Sequence, residues 1–185
     1  MSNVRRFVPA LVLVVAACGY NTIQTYDEQV NAAFSQIKVQ LQRRADLIPN
    51  LVATVQGYAK QERDVFTAVA DARARLNGAI QTGDPQQMAD ANQALNAPLG
   101  RLLAIVENYP QLKSSDNFRG LQDELAGTEN RIATSRQDYN DAVNRYNAYI
   151  RRFPQVLTAK VTGAKARAYF QERAGADTAP TVKFN

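Results

Sequence analysis

FRGLQDELAGTENRIATSRQDYNDAVNRYNAYIRRF, residues 118–153, is the stretch of this chain that decides its fold. Its apolar, aromatic and hydroxyl-bearing residues recur in alternating steps of three and four, which is the heptad seam of a long helix that packs lengthwise against other helices. A helix from about Ser115 to Arg152 would be roughly 57 Å long. The seam consists of Phe118, Leu121, Leu125, Thr128, Ile132, Ser135, Tyr139, Ala142, Tyr146, Tyr149 and Phe153.

This seam is only partly apolar, because it carries hydroxyl groups and two Tyr-Asn pairs, Tyr139-Asn140 and Tyr146-Asn147. The pairs are seven residues apart and therefore share one face of the helix. We favour a structural role, in which these side chains form hydrogen bonds between helices and fix their register. The alternative is a polar groove that binds a peptide or a glycan. The remaining polar residues singled out on this helix are Glu129, Asn130, Arg131 and Arg136.

Three further amphipathic helices are predicted between Tyr20 and Tyr109, because apolar residues recur there every three or four positions. Helix one carries Ile23, Val30, Phe34, Ile37 and Leu41 on one face. Helix two carries Ile48, Leu51, Val55, Tyr58, Val65, Val69, Ala72 and Leu76. Helix three carries Met88, Ala91, Leu95, Leu99, Leu102, Val106 and Tyr109. The sequence therefore predicts an all-α fold of four long, coiled-coil-like helices.

Helix-capping and helix-breaking residues set the expected ends of these helices. We expect Asp84 to cap helix three, with Pro85 at its first position and Gln87 reaching back to the cap. Ser115-Asp116 is expected to cap helix four, and Pro98 to kink or split helix three. The expected stops are Gly78 and Gly83 for helix two, Pro110 for helix three and Pro154 for helix four.

The segment 42–52, QRRADLIPNLV, is predicted to be the corner between helices one and two. Asp46 can cap helix two, and Pro49 falls in its first turn, where a missing amide costs little. Arg43 and Arg44 would end helix one, where positive charge complements the helix dipole. We favour a structural role over a binding role for this corner. The same holds for Asn50, which lies within it.

Glu62 is expected near the seam of helix two, where a buried carboxylate needs a partner. Arg131 or Arg136 is the candidate partner. Beyond Pro154 the helical period is lost, so residues 154–185 are predicted to be a loosely packed C-terminal tail with one short helix near 164–173.

The N-terminal segment has the layout of a bacterial lipoprotein signal. A basic pair, Arg5-Arg6, precedes an apolar run at 7–16, and Val15-Ala16-Ala17 leads to Cys18, the one cysteine of the chain. The apolar run is about half of the roughly 20 residues that span a bilayer, so a cleaved signal is favoured over a retained anchor. We expect residues 1–17 to be removed and Cys18 to be lipidated. In a diderm host, glycine at position 19, directly after the cysteine, favours sorting of the lipoprotein to the outer membrane. In other hosts we expect the protein on the outer face of the cytoplasmic membrane.

The composition excludes several kinds of chemistry. The chain has no histidine and one cysteine, which removes Ser-His-Asp and Cys-His catalysis and zinc sites built on these residues. No pair of acids lies in a context that indicates glycosidase-type catalysis. The net charge of +5 loses the two signal arginines on processing. We therefore expect no enzyme activity, no cofactor, no metal and no nucleic-acid partner.

Several separated motifs resemble the LemA family. They are RRADLIPNLV at 43–52 with Val55, GYA at 57–59 and Glu62; GYN at 19–21; VENYPQLK at 106–113; and LQDELAGTENRIATSRQDYNDAVNRYN at 121–147 with Phe153-Pro154. The resemblance covers about residues 19–170. Phe34 departs from it, since the family often has tryptophan there, and so does Pro98.

The resemblance implies an antiparallel, up-down helical bundle, residues 18–153, held at a membrane and facing away from the cytoplasm. It also implies a scaffold or adaptor without established enzyme activity, with an envelope protein such as a membrane peptidase as partner. Two other functions stay open. One is a bundle that binds lipid or a cell-wall ligand, and the other is a self-assembling, membrane-associated structural protein.

Overall fold

The computed structural model describes the backbone of residues 3–171 and the side chains from Gly19 to Gln171. This part of the chain forms six α-helices and no strand, which confirms the all-α prediction. The helices are α1 (Asn3–Gln56), α2 (Arg63–Thr82), α3 (Pro85–Val106), α4 (Pro110–Lys113), α5 (Asp116–Arg151) and α6 (Gln155–Thr162). No helix within the described residues is long and apolar enough to cross a membrane.

The chain forms two compact units, and α1 and α5 each contribute to both. Within the described residues, the first unit contains residues 3–37 and 135–169, and the second contains residues 38–134 and 170–171. In the first unit, the α1 segment up to Ile37 and the C-terminal part of α5 are antiparallel. The ring centroids of Tyr26 and Tyr149 are 5.1 Å apart in an edge-on arrangement, and those of Phe34 and Tyr139 are 5.4 Å apart. In the second unit, α2 packs extensively against α3.

Each unit has its own apolar core. The core of the first unit includes Ile23, Val30, Ile37, Tyr139, Val143, Tyr146, Ile150 and Ala159. The core of the second includes Leu41, Ile48, Leu51, Val55, Val69, Leu76, Met88, Leu95, Leu102, Val106, Leu112, Leu125, Ile132 and Phe170. These are largely the predicted seam residues, because a 3.6-residue period places them on one side of each helix.

The predicted corner at 42–52 is wrong, since α1 continues through it to Gln56. Pro49 has no amide hydrogen, so the helical bond to the Ala45 carbonyl four residues earlier is missing. The Arg73 Nε donates to this carbonyl oxygen at 2.7 Å instead. Asp46 caps no helix; its Oδ1 accepts a hydrogen bond from the Gln42 Nε2 at 2.9 Å. The predicted second helix is consequently divided at residues 57–62.

Most of the predicted caps are confirmed. Asp84 accepts hydrogen bonds from the backbone amides of Gln86 at 2.8 Å and Gln87 at 3.0 Å, with Pro85 at the first helical position. Ser115 Oγ accepts from the Phe118 amide at 3.2 Å at the start of α5. α2 ends at Gly83, whose φ of 67° suits glycine.

The predicted breaks at Gly78 and Pro110 differ from the structure. Gly78 lies inside α2. Pro98 lies inside α3 and does not split it, whereas the kink at Pro98 stays a prediction. α3 ends at Val106, and Pro110 instead begins the short helix α4.

The predicted helix near 164–173 is also wrong, because α6 lies earlier and residues 163–171 are not helical. α6 ends at Gly163, which has a φ of 73°. Up to Gln171 the tail packs on the fold through Phe170, whose side chain is only 1% exposed, whereas residues 165–169 and Gln171 are exposed. The end of the tail, residues 172–185, lies outside the described residues.

Candidate functional site

Arg44 is a buried cation of the second unit. Its side chain is 6% exposed and lies 2.9 Å from a carboxylate oxygen of Glu129 on α5. Its guanidinium also donates to Asn92 and, at 2.7 Å, to Asn96 on α3. A buried charge needs such partners to offset the water it loses. Arg44 therefore ties α1 to both α3 and α5.

Arg43, the preceding residue, faces solvent. Its guanidinium lies 2.6 Å from the Glu124 carboxylate, which also accepts from Arg131 at 2.9 Å. Neither Arg43 nor Arg44 ends a helix, so the predicted dipole role is wrong. Of the two candidate partners of Glu62, Arg131 pairs with Glu124 instead, and the pairing with Arg136 stays a prediction. Glu62 precedes α2 as a half-buried residue.

Beside the Arg44–Glu129 ion pair lies an open cleft of about 390 Å³, which we call the Arg44 cleft. Helices α3 and α5 supply its walls. At Gly100 an added Cβ would meet nothing within 4 Å, so the cleft is open there. The mostly apolar walls and the single ion pair form a surface suited to binding. The cleft is lined by Arg44, Asn96, Leu99, Gly100, Leu103, Gln122, Leu125, Ala126 and Glu129.

The polar seam of α5 in the first unit holds the C-terminal segment 164–169. The Tyr139 hydroxyl donates to the Ala168 carbonyl at 2.8 Å. Asn147 forms a pair of bonds with the Arg167 backbone: its Nδ2 donates to the carbonyl at 2.9 Å, and its Oδ1 accepts from the amide at 2.8 Å. For Tyr139 and Asn147, the expected hydrogen bonds between helices are thus replaced by bonds to a non-helical stretch of the same chain.

Arg167 also anchors this segment through its side chain. Its guanidinium makes bonds of 2.8–3.0 Å to the Asp27 carboxylate on α1, and this bonding raises the pKa of Arg167. Burial raises the pKa of Tyr139, which the charge of Arg167 partly opposes. Burial also raises the pKa of Tyr146, helped by the Asp27 charge and opposed by Arg167. A second cleft of about 420 Å³ lies between this ion pair and residues 162–166.

The other predicted site residues are dispersed. Asp46, Pro49, Asn50 and Asn130 are exposed, whereas Arg136 and Asn140 are half-buried. The Cys18 side chain lies outside the described residues, so its lipidation stays a prediction. Within those residues, no three acidic, histidine or cysteine side chains come together as a group that could hold a metal ion.

Four residues that build these sites are not predicted from the sequence: Asn92 and Asn96 beside Arg44, and Asp27 and Arg167 in the first unit. Asn92 and Asn96 are four residues apart on α3, so they share one face of it. This spacing was the available signal for a polar contact made by one face of an amphipathic helix.

Comparison with known proteins identifies relatives of this chain. It is 32% identical over 182 residues to Magnetosome protein MamQ 1 and to Magnetosome protein MamQ 2 of Paramagnetospirillum magneticum (strain ATCC 700264 / AMB-1). It is 30% identical over 182 residues to Magnetosome protein MamQ of Magnetospirillum gryphiswaldense (strain DSM 6361 / JCM 21280 / NBRC 15271 / MSR-1). Each alignment covers 86% of this chain and 67% of the relative. The LemA family model matches residues 33–184. The chain therefore belongs to the LemA family.

Proposed function

We propose that this chain is a membrane-anchored, non-catalytic adaptor of the cell envelope that holds another envelope protein. Family membership and the similarity to magnetosome proteins support a location at a membrane. The signal-like segment that ends at Cys18 supports a lipid anchor. In a diderm host the protein would sit on the periplasmic side of the outer membrane, and otherwise on the outer face of the cytoplasmic membrane.

The observation that carries the adaptor role is the Arg44 cleft. Arg44 is almost fully buried, whereas the Glu129 side chain is 45% exposed. The polar end of the cleft therefore presents part of the Glu129 side chain to solvent, next to apolar walls, while its Oε2 is buried against Arg44. This surface fits a partner segment in which an apolar side chain enters the cleft and a neighbouring Lys or Arg reaches Glu129.

A ligand-binding function is the second candidate. The cleft, at about 390 Å³, falls in the range of roughly 300–1,000 Å³ that is typical of small-molecule sites. A lipid or a cell-wall fragment would then fill it instead of a protein side chain.

The test is photo-crosslinking in cells from a photoreactive residue at position Leu103, in the intact chain. Leu103 lines the cleft and is half-buried. The variant Gly100→Phe would fill the cleft mouth without forcing neighbours apart, because there is open space at Gly100. The matched control is Gly78→Phe, since Gly78 is likewise exposed, helical and surrounded by open space.

We expect one dominant envelope protein to be crosslinked, to disappear with Gly100→Phe and to persist with Gly78→Phe. A partner that survives both variants would show that the cleft is not its binding site. Crosslinks only between copies of this chain would support self-assembly. A lipid or glycan that copurifies with the chain and is lost with Gly100→Phe would support ligand binding.

The anchor is tested separately with Cys18→Ser. We expect this variant to accumulate as an uncleaved, unlipidated precursor, because the thiol is the acceptor of the lipid. Mass spectrometry of the N-terminal peptide measures both modifications. A mature, lipid-anchored protein in this variant would contradict the lipoprotein proposal.

A further inference from the structure

The helix α6 exposes large apolar side chains. Its inner face buries Thr158 and Ala159, and Gln155 on that face is half-buried. Its outer face exposes Leu157 (50% exposed) and Val161 (86%), with Phe153 (80%) just before the helix. Single exposed apolar residues are common on protein surfaces. A group of large ones on one face indicates a surface that is buried against another apolar environment.

The sequence around α6 carries positive charge and no acid. Between Ala148 and Gln171 the sequence contains five cations and neither aspartate nor glutamate. Arg167 is paired with Asp27. The other four cations, Arg151, Arg152, Lys160 and Lys165, are exposed. Exposed apolar side chains flanked by Lys and Arg are typical of a helix that lies on an anionic membrane surface.

The fold places α6 beside the residue that follows the predicted lipid site. Gly19 is buried, and a Cβ added to it would lie 3.4 Å from the Gln155 Cγ and 3.5 Å from the Thr158 Oγ1. Gly19 of α1 thus packs on the inner face of α6. Tyr20, the next residue, is 46% exposed and has the amphipathic ring that favours the membrane interface.

We infer that Phe153, Leu157 and Val161, with the surrounding cations, form a membrane-docking surface for anionic phospholipid. We call it the α6 foot. The apolar side chains enter the headgroup region, and Arg151, Arg152, Lys160 and Lys165 attract the lipid phosphates. An anchor at one residue holds a protein at the membrane, whereas the foot adds a second contact that fixes the orientation of the first unit.

This inference rests on the membrane location in the proposed function, and its test separates the two. The full chain is reconstituted into vesicles of phosphatidylcholine, with or without phosphatidylglycerol. A polarity-sensitive fluorophore is attached at Val161→Cys or, as the control, at Val39→Cys, which replaces another exposed helical valine. The unsubstituted chain, treated identically, reports any labelling of Cys18.

We expect the label at position 161 to shift to the blue and to be quenched by lipid-attached quenchers, only in vesicles that contain phosphatidylglycerol. The label at position 39 should stay in a water-like environment. Neutralising three cations of the foot, with Arg152→Gln, Lys160→Gln and Lys165→Gln together, should lower the docked fraction at least about tenfold, since each cation near an anionic surface contributes roughly fivefold.

The matched charge control replaces Lys60, Arg75 and Arg101 with glutamine, because these exposed cations lie outside the foot. It should leave docking unchanged. A label at position 161 that stays water-like in both kinds of vesicle would overturn the inference, as would a blue shift that depends on protein concentration and not on lipid. A chain that fails to float with either vesicle would instead contradict the proposed membrane anchoring.

Discussion

The Arg73 Nε donates a hydrogen bond of 2.7 Å to the backbone carbonyl of Ala45. In a regular helix this carbonyl accepts a hydrogen bond from the amide of residue 49, but Pro49 has no amide hydrogen. Ala45 is fully buried, so an unbonded carbonyl there would be costly. A side chain of α2 thus supplies the bond that lets α1 continue past its proline.

We expect Arg73→Met to lower the free energy of unfolding by about 1–3 kcal/mol, because it leaves a buried acceptor without a donor. Methionine keeps most of the length of the side chain, so lost packing contributes less. Urea denaturation measures the change. The matched background is Pro49→Ala, which restores the backbone amide at an exposed position.

In the Pro49→Ala background, the loss of unfolding free energy caused by Arg73→Met should be smaller by at least about 1 kcal/mol. The new amide at position 49 then donates to the Ala45 carbonyl. An equal cost in both backgrounds would show that Arg73 stabilises the fold in another way.

The neighbouring arginines 43 and 44 should differ sharply in their contributions to stability. Arg44→Met removes a buried cation and leaves Asn92, Asn96 and Glu129 without it, which typically costs about 3–5 kcal/mol. Arg43→Met removes an exposed partner of Glu124, which is worth about 0–1 kcal/mol. Thermal and urea denaturation of both variants provides the comparison. Similar losses for the two would contradict the central role assigned to Arg44.

Local sequence signals predicted α5 almost to the residue, because a continuous seam and the Ser115 cap both act within a few positions. The start of α3 was predicted for the same reason: Asp84 and Pro85 are adjacent to the turn they form. By contrast, the course of α1 through Pro49 depends on Arg73, which is 28 residues from Ala45 in sequence. A bond between residues so far apart cannot be predicted from the local sequence pattern.

The candidate sites show the same limit. Arg44 and Glu129 were both singled out, but their pairing depends on how α1 and α5 pack. The polar seam of α5 was recognised as a surface that needs hydrogen-bond partners. The partners of Tyr139 and Asn147 are backbone groups of residues 167 and 168, and no sequence pattern marks a backbone group as a partner. The need for hydrogen-bond partners along the seam is therefore predictable from the sequence. The segment that supplies those partners is not.

The amide pair between Asn147 and Arg167 should control the attachment of the C-terminal segment. Asn147→Ala removes two hydrogen bonds, each worth about 1 kcal/mol, so local opening should become roughly 30-fold more frequent. Hydrogen exchange at the Arg167 amide measures this directly. The control is Asn144→Ala, on an exposed face of the same helix, which should not change it. Unaltered exchange in Asn147→Ala would mean that other contacts hold the segment.

The buried tyrosine hydroxyls should make stability depend on alkaline pH. Burial raises the pKa of Tyr139 above the ordinary 10.0, against an opposing effect of Arg167. The folded state therefore keeps the proton that the unfolded state loses. The stabilising contribution is fully present below pH 10.0 and is lost as the pH rises from there through the raised pKa of the folded state. Ionisation also removes the hydrogen that Tyr139 donates to Ala168.

We expect the free energy of unfolding to fall less steeply above pH 10 in Tyr139→Phe than in the unsubstituted chain, because phenylalanine cannot ionise. At neutral pH the same variant should be less stable by about 1 kcal/mol, through loss of the bond to Ala168. Denaturation curves collected from pH 8 to pH 11 test both expectations. Tyr20→Phe, at an exposed position of the first unit, is the control. If Tyr139→Phe follows the same alkaline slope as the unsubstituted chain, then the ionisation of Tyr139 does not limit its stability.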